Sequence, residues 1–244
     1  MKIFTHTFIY VAFFALFFQS CVIELRTIKG SGNIVSKEIS ISDYAEIEVG
    51  SAAEIVYEQK TIREPYLQIN VDDNILPLLD IRIDDNRLII RTKDNSNISP
   101  SKFRVYTNSS SIERVKLAGS GEIHLKGEVN SKKLNIELFG SGDVVADSLY
   151  CDKFDMSVAG SGTVRLKGAS NESKFSVAGS GDIRGYNFTV DNLVTNIAGS
   201  GDIQITVGSS LKASIAGSGT LKYQGNPEEV DTKVVGAGEI KKVN

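Results

Sequence analysis

Tryptophan is absent from these 244 residues, and there are only two cysteines, two histidines and four prolines. So few cysteines exclude a fold stapled by several disulfides, so an apolar core must hold it, and the chain is long enough to build one. His6 falls in the apolar leader described below, which leaves His124 alone in the remainder. His124 sits at an outward strand position without a clear nucleophile partner and reads as a surface residue. No run reaches the 18 or more apolar residues of a transmembrane helix. Basic residues form no stripe: 27 Lys and Arg, one of them Lys2 in the leader, stand against 30 Asp and Glu. That mildly acidic balance argues against nucleic-acid binding. What is abundant is Val, Ile, Ser and Gly, a composition of strands and tight turns.

The first twenty residues read as a leader. Lys2 is followed by an apolar stretch over 8–18 and then by Gln19-Ser20-Cys21. Eleven residues are too few to cross a hydrocarbon core of roughly 30 Å as a helix, but they suit a secretory signal. The placing of Cys21 resembles a bacterial lipobox, in which a small residue precedes a cysteine that is diacylated and becomes the N-terminus. Phe18 departs from that pattern, since Leu is commonest there. The division expected is a lipoprotein signal peptide over 1–20, lipidation at Cys21, a tether over 21–28 and a single domain over 29–244. Two or more acyl chains would hold that domain stably on a membrane. The alternative is ordinary cleavage near Ser20 that leaves Cys21 a free thiol. With Cys21 consumed by lipid, Cys151 is expected as a small buried residue.

The second half of the chain carries a ladder. Gly-Ser-Gly occurs at Gly119-Ser120-Gly121, Gly140-Ser141-Gly142, Gly160-Ser161-Gly162, Gly179-Ser180-Gly181, Gly199-Ser200-Gly201 and Gly217-Ser218-Gly219, and Gly236-Ala237-Gly238 closes the series. Successive first glycines lie 21, 20, 19, 20, 18 and 19 residues apart. A period near twenty marks a solenoid in which each repeat is one stacked coil. Two positions before the first glycine stand Leu117, Leu138, Val158, Val177, Ile197, Ile215 and Val234; four positions after it stand Ile123, Val144, Val164, Ile183, Ile203, Leu221 and Ile240. Alternation on both sides predicts a strand, a tight glycine corner and a second strand, each with one buried face. The preceding residue is Ala in five of seven repeats, with Phe139 and Val235 as exceptions. Small side chains are expected there because identical corners stack closely. The segments 127–133, 147–153, 168–174 and 185–192 read as polar returns of variable length. Parallel crossovers are overwhelmingly right-handed, so the expected fold is all-β, a right-handed parallel β-helix with coils of about 20 residues. The absence of a six-residue period argues against the left-handed hexapeptide helix.

The first half, 29–114, carries the signature more loosely, at Gly30-Ser31-Gly32 and Gly50-Ser51-Ala52. Residues 66–71, 79–83 and 87–92 alternate as strands, with Asp84-Asp85-Asn86 as a hairpin turn. A short helical turn is expected over 73–78 and a polar loop over 95–101. Extrapolating the period along the chain gives about eleven coils, a rod of roughly 50 Å at the strand spacing.

The stretch Arg26-Thr27-Ile28-Lys29-Gly30-Ser31-Gly32-Asn33-Ile34-Val35, the following Tyr44-x-x-Ile47-x-Val49 and the later ladder resemble the auto-transporter adhesin head domain called GIN. This domain of unknown function is common in lipoproteins of Bacteroides-type bacteria. The resemblance covers nearly all of the chain beyond Cys21. It implies a pectin-lyase-like β-helix and a role in cell adhesion, and it brings no catalytic residues.

The residue after each corner is Glu122, Asp143, Thr163, Asp182, Asp202, Thr220 or Glu239, an acidic column in a stack. Calcium binding is one reading. Capping of the turn backbone is the better one, because Thr163 and Thr220 interrupt the column. Gly179 to Gly185 misses a phosphate-binding loop by one residue and is followed by a strand pattern where a helix is needed. Arg165, Lys167 and Arg184 lie near Asp143 and Asp182, as an ordinary solvated strand face would place them. Asp147-Ser148-Leu149 resembles a short O-glycosylation site of such bacteria, with Ser148 as the acceptor. The single acid Glu24 after Cys21 is fewer than in surface-export tails, which favours the periplasmic side of the outer membrane over the surface. The expectation is therefore a non-catalytic, lipid-anchored envelope module without cofactor or metal. It would be tied to the membrane through lipid and would bind glycans or envelope proteins. Self-assembly through its ends, or a degenerate carbohydrate-active enzyme, are the alternatives.

Overall fold

The computed structural model describes residues 27–61, 64–93 and 96–244. The leader, Cys21 and most of the tether lie outside the described residues. Among the described residues, regular structure is β apart from a 3-10 turn at Leu76–Leu78, inside the segment expected to turn, and a 3-10 position at Lys93. No helix there is long and apolar enough to cross a membrane.

The chain opens with β1 (Ile28–Lys29), β2 (Ile34–Ser40), β3 (Glu46–Gly50), β4 (Glu54–Gln59), β5 (Tyr66–Asp72), β6 (Leu79–Asp84), β7 (Arg87–Thr92), β8 (Ile98–Ser99), β9 (Phe103–Ser109) and β10 (Arg114–Gly119). It continues through five long strands that bend around the coil: β11 (Glu122–Gly140), β12 (Asp143–Gly160), β13 (Thr163–Gly179), β14 (Asp182–Gly199) and β15 (Asp202–Gly217). It ends with β16 (Thr220–Gln224), β17 (Glu229–Gly236) and β18 (Glu239–Lys242). Each long strand leaves one Gly-Ser-Gly corner and ends on the next. Its outgoing leg and its returning leg both pair in parallel with the coils before and after. The result is a β-solenoid of about six turns with coils of about 20 residues. That is fewer than the eleven coils extrapolated from the period, because much of the first half is not coiled, and at the strand spacing the stack is about 30 Å long.

Two columns of branched side chains fill the interior. Val49, Leu117, Leu138, Val158, Val177, Ile197 and Ile215 come from the returning legs; Ile55, Ile123, Val144, Val164, Ile183, Ile203 and Leu221 come from the outgoing legs. Full burial of each stabilises by about 1.5–3 kcal/mol. The segments read as polar returns are themselves strand, entered through register shifts such as Leu125/Glu128 and Ala146/Leu149. They bury Val129, Leu149, Cys151, Phe188 and Val190. Phe188 and Phe175 meet Phe154 edge to face, with centroids 5.6 and 5.5 Å from it.

The irregular first half closes the N-terminal end of the stack. On the returning side β7 lies beneath β3, and β6 folds back antiparallel on β7. Their hairpin turns at Asp85 and Asn86, both with positive φ. On the outgoing side β9 lies beneath β4, and β5 and then β2 continue the sheet antiparallel. Buried Tyr44 and Tyr57 place their hydroxyls 2.8 Å from Thr107 Oγ1 and 2.9 Å from Ser109 Oγ, so neither polar tip is stranded.

Gly50-Ser51-Ala52 is a true corner, since Gly119 and Gly121 stack against the Ser51 and Ala53 carbonyls. Gly30-Ser31-Gly32 is a clasp and no corner. Gly32 N–H donates to Asp72 Oδ1 (2.7 Å), Ser31 N–H to Asn74 Oδ1 (2.9 Å) and Asn33 Nδ2 to Asp73 Oδ2 (2.8 Å). A Cβ at Gly30 would lie 2.4 Å from the Asp72 carboxyl carbon. The Ser101 hydroxyl, outweighing the cost of burial, and the N–H groups of Gly32, Ser101 and Lys102 hold the Asp72 carboxyl down at about 2.

Candidate binding face

The corners were the most conspicuous candidate in the chain, and their geometry assigns them a packing role. The first glycine of each, Gly119, Gly140, Gly160, Gly179, Gly199, Gly217 and Gly236, has φ between +116° and +138°. A Cβ on the last glycine of each triplet would meet the corner below. At Gly142 it would lie 2.5 Å from the Gly121 carbonyl oxygen and 2.8 Å from Leu117 Cδ2. The same contacts recur at Gly162, Gly181, Gly201, Gly219 and Gly238. Between them the backbone is satisfied along the stack, as where Ser141 N–H donates to Gly119 O (3.0 Å) and Asp143 N–H to Gly121 O (3.0 Å). The serines of the six Gly-Ser-Gly corners are exposed, whereas the Ser51 hydroxyl at the first corner is buried without a hydrogen-bond partner among the described residues. The alanines before each corner also face outward, and Phe139 is 40% exposed, so close stacking does not require that position to be small.

The outward side of the outgoing legs is organised in columns. Nearest the corner stand Glu54, Glu122, Asp143, Thr163, Asp182, Asp202, Thr220 and Glu239, the expected acidic column extended by one residue. Its carboxylates cap the next coil: Thr163 N–H donates to Asp143 Oδ1 (3.3 Å) and Thr220 N–H to Asp202 Oδ1 (3.1 Å). Among the described residues, no group of three or more His, Cys, Asp or Glu side chains is placed to hold a metal ion.

Two residues further along each leg runs a second column that sequence reading did not assemble: Val56, His124, Val145, Arg165, Arg184, Gln204, Lys222 and Lys241, in unbroken register. Its C-terminal part is cationic. Arg165 Nη1 lies 3.1 Å from Asp143 Oδ2 and Arg184 Nη2 lies 3.2 Å from Asp182 Oδ2. Both arginines remain about half exposed, and pairs of that kind contribute little stability, so the guanidinium groups stay available. Beside them a groove of about 320 Å³ is lined by Asp147, Arg165, Lys167, Arg184, Tyr186 and Gln204.

At the rim of this groove His124 has a partner that the sequence did not reveal. Its Nε2 lies 2.9 Å from Asp147 Oδ1, although the contact is poorly aligned for a ring N–H hydrogen bond. Burial works to raise the pKa of Asp147; the His124 contact, the Gly127 N–H and Lys167 outweigh it, and the value is lowered. A histidine and carboxylate alone lack the nucleophile of a triad. Ser148, the expected glycosylation acceptor, is half-buried in β12 opposite Glu128, and the adjacent Leu149 is fully buried. The glycine loop at Gly179 leads into β14, so no helix end faces it. Cys151 is buried, and desolvation pushes its thiol up to about 12.

Comparison with known proteins places this architecture. The profile described as putative auto-transporter adhesin, head GIN domain, matches residues 43–227. The chain belongs to this family. A putative adhesin from Bacteroides fragilis superimposes with a TM-score of 0.84 at 27% identity, covering 88% of this chain and 100% of that one. A protein from Parabacteroides distasonis described as a putative lipid binding protein gives 0.74 at 31% identity, covering 90% and 100%. A putative adhesin from Parabacteroides merdae gives 0.72 at 30%, covering 89% and 99%. No functionally curated protein matches the chain. The GIN-family profile ends at residue 227, just before β17, so the last coil lies beyond the matched region.

Proposed function

We propose that this GIN-domain chain is a non-catalytic binding module of the bacterial cell envelope, lipid-anchored at Cys21, whose outgoing face holds an anionic glycan. The carrying observation is the in-register column Arg165, Arg184, Gln204, Lys222 and Lys241 beside the groove at Tyr186. Side chains there repeat at the strand spacing of about 4.8 Å, and all but Gln204 are cationic. That step is comparable to one sugar ring of an extended polysaccharide, so successive carboxylated or sulfated units can meet successive side chains. The guanidinium forks give bidentate recognition of such groups, and Tyr186 offers a surface on which a sugar ring can stack. The relatives named as adhesins support a binding role at the envelope. The relative named as lipid binding is accommodated less well, because the interior of the described coils is packed with apolar side chains of the two core columns.

The test is binding to immobilised uronate-containing and sulfated glycans, with Arg165→Ala/Arg184→Ala alongside the unaltered chain. Binding is expected to be salt-sensitive and to fall by about tenfold or more in the variant, since charged hydrogen bonds contribute roughly 1.5–3 kcal/mol each. Binding that is equal in both proteins, or absent from the unaltered one, would sink the proposal.

A further inference from the structure

The two ends of the solenoid are finished differently. At the N-terminal end β6 and β2 turn antiparallel and cover the stack. At the other end β17 pairs with β15 and β18 with β16, and no described strand lies beyond either. Every residue of β17 is exposed. Val230 and Val234 continue the core positions of Leu211 and Ile215 in register, yet they are 47% and 41% exposed. An open strand edge backed by uncovered core side chains is a template for another strand.

The order of residues along β17 says which strand. Laid antiparallel against itself about Thr232, the segment Glu229-Val230-Asp231-Thr232-Lys233-Val234-Val235 is self-complementary. Asp231 falls opposite Lys233, and the two-fold axis repeats that pair. Val230 falls opposite Val234 on the inward face, so both cores extend across the junction, and Thr232 meets its own copy. The neighbouring registers are blocked. A slip of one residue turns the valines outward, because side chains alternate across a strand. A slip of two residues one way sets Asp231 on Asp231, and the other way sets Lys233 on Lys233; like charges directly opposite are destabilising. No proline or bulge interrupts β17, and its charged side chains Glu229, Asp231 and Lys233 are of both signs, so the pairing that a single-sign edge would repel is complementary here.

We propose that the chain forms a two-fold dimer through β17, whose occupant is the β17 of a second copy of this chain. The interface is isologous, with each strand as both donor and acceptor of the same contacts. It joins two solenoids end to end at their C-terminal coils and leaves their outgoing faces free, so it is independent of the glycan reading. Eight residues of edge make a modest interface, so the association is expected to depend on concentration.

The test is a charge swap on the full chain in density-matched detergent, read by sedimentation equilibrium over a concentration series. The unaltered chain should dimerise. Lys233→Asp sets the Asp231 carboxylate against a second carboxylate, and Asp231→Lys sets the Lys233 ammonium against a second ammonium. Each reversal alters two symmetry-related pairs and is expected to weaken the dimer by at least about tenfold. The double variant Asp231→Lys/Lys233→Asp restores opposite charges and should restore the dimer. The Lys212–Asp231 contact at 3.6 Å is exposed at both partners, so its loss should leave the fold intact, which an unchanged circular dichroism melt of each variant would verify. A chain that is monomeric at every concentration, a dimer indifferent to the single reversals, or single reversals that the double variant does not rescue would each overturn the proposal.

Discussion

Replacing Gly142 by alanine would drive a Cβ into the Gly121 carbonyl at 2.5 Å, and Gly140→Ala would add a left-handed φ of +116° to the same kind of clash. Both obstacles are backbone atoms of the coil below, which cannot step aside as a flexible side chain would. Each substitution is expected to cost about 2 kcal/mol or more, read as a lower midpoint in urea unfolding. Ser141 lies between them with its side chain in solvent, so Ser141→Ala should stay within about 0.5 kcal/mol of the parent. Equal effects at the three positions would contradict the packing account of the corner.

The Asp72 clasp gives a second local expectation. Its folded carboxyl titrates at about 2 against an ordinary 3.8, a depressed value. The stability it contributes is therefore fully present above pH 3.8 and lost as pH falls toward 2. The protection of the Gly32, Ser101 and Lys102 amides, taken relative to their intrinsic exchange rates at each pH, should fall through that window. In Asp72→Asn the carboxylate dependence should vanish, with faster exchange already at neutral pH.

The bend between the outgoing and returning legs is where reading the chain and seeing it folded diverge most. Corners and core columns could be read because glycine pairs and period-2 apolar residues repeat at short range. The bend segments could not, since each buries only one or two side chains, too few to show a period. Val129 stands alone between Glu128 and Asn130, and Phe188 is flanked by Asn187 and Thr189. The N-terminal cap was half visible. Asp84-Asp85-Asn86 announced its hairpin, but β5 pairs with β2 and β9 some thirty residues away on either side, and such partners leave no local mark. The cationic column was legible only in part: the repeat places Arg165 and Arg184 on one strand face, but their continuation into Gln204, Lys222 and Lys241 emerges only once coil lengths and bulges set the register. If the bend is structural, Phe154→Ala should cost about 3–5 kcal/mol, because it removes the ring that both Phe175 and Phe188 pack against. A loss below about 1 kcal/mol in chemical denaturation would mean that the bend is a solvated loop.

In a stack each coil touches mainly its neighbours, so stability is approximately a sum of coil and interface contributions, with weaker ends where an interface is missing. Here the two ends are unequal. The N-terminal coil is covered by β2 and β6 and tied across the stack by ion pairs, among them Arg87 with Glu46 (2.9 Å) and Lys116 with Glu48 (3.1 Å). Among the described residues the last coil has a partner on one side only, and β17 contributes no buried residue. Opening should therefore begin at β17 and β18 and run toward the centre of the stack. Native-state hydrogen exchange checks this directly: amides of 229–242 should exchange at the lowest opening free energy, those of β11 to β14 near the global value, and those of β3 and β4 closer to the centre than to the C-terminal end. The order also separates fraying from association. When the chain is concentrated enough to pair through β17, the slow-exchanging region should spread to 229–236 and stay as it is at the N-terminal cap. Uniform slowing over the whole chain would place the contact elsewhere, and no slowing at all would leave the C-terminal coil open.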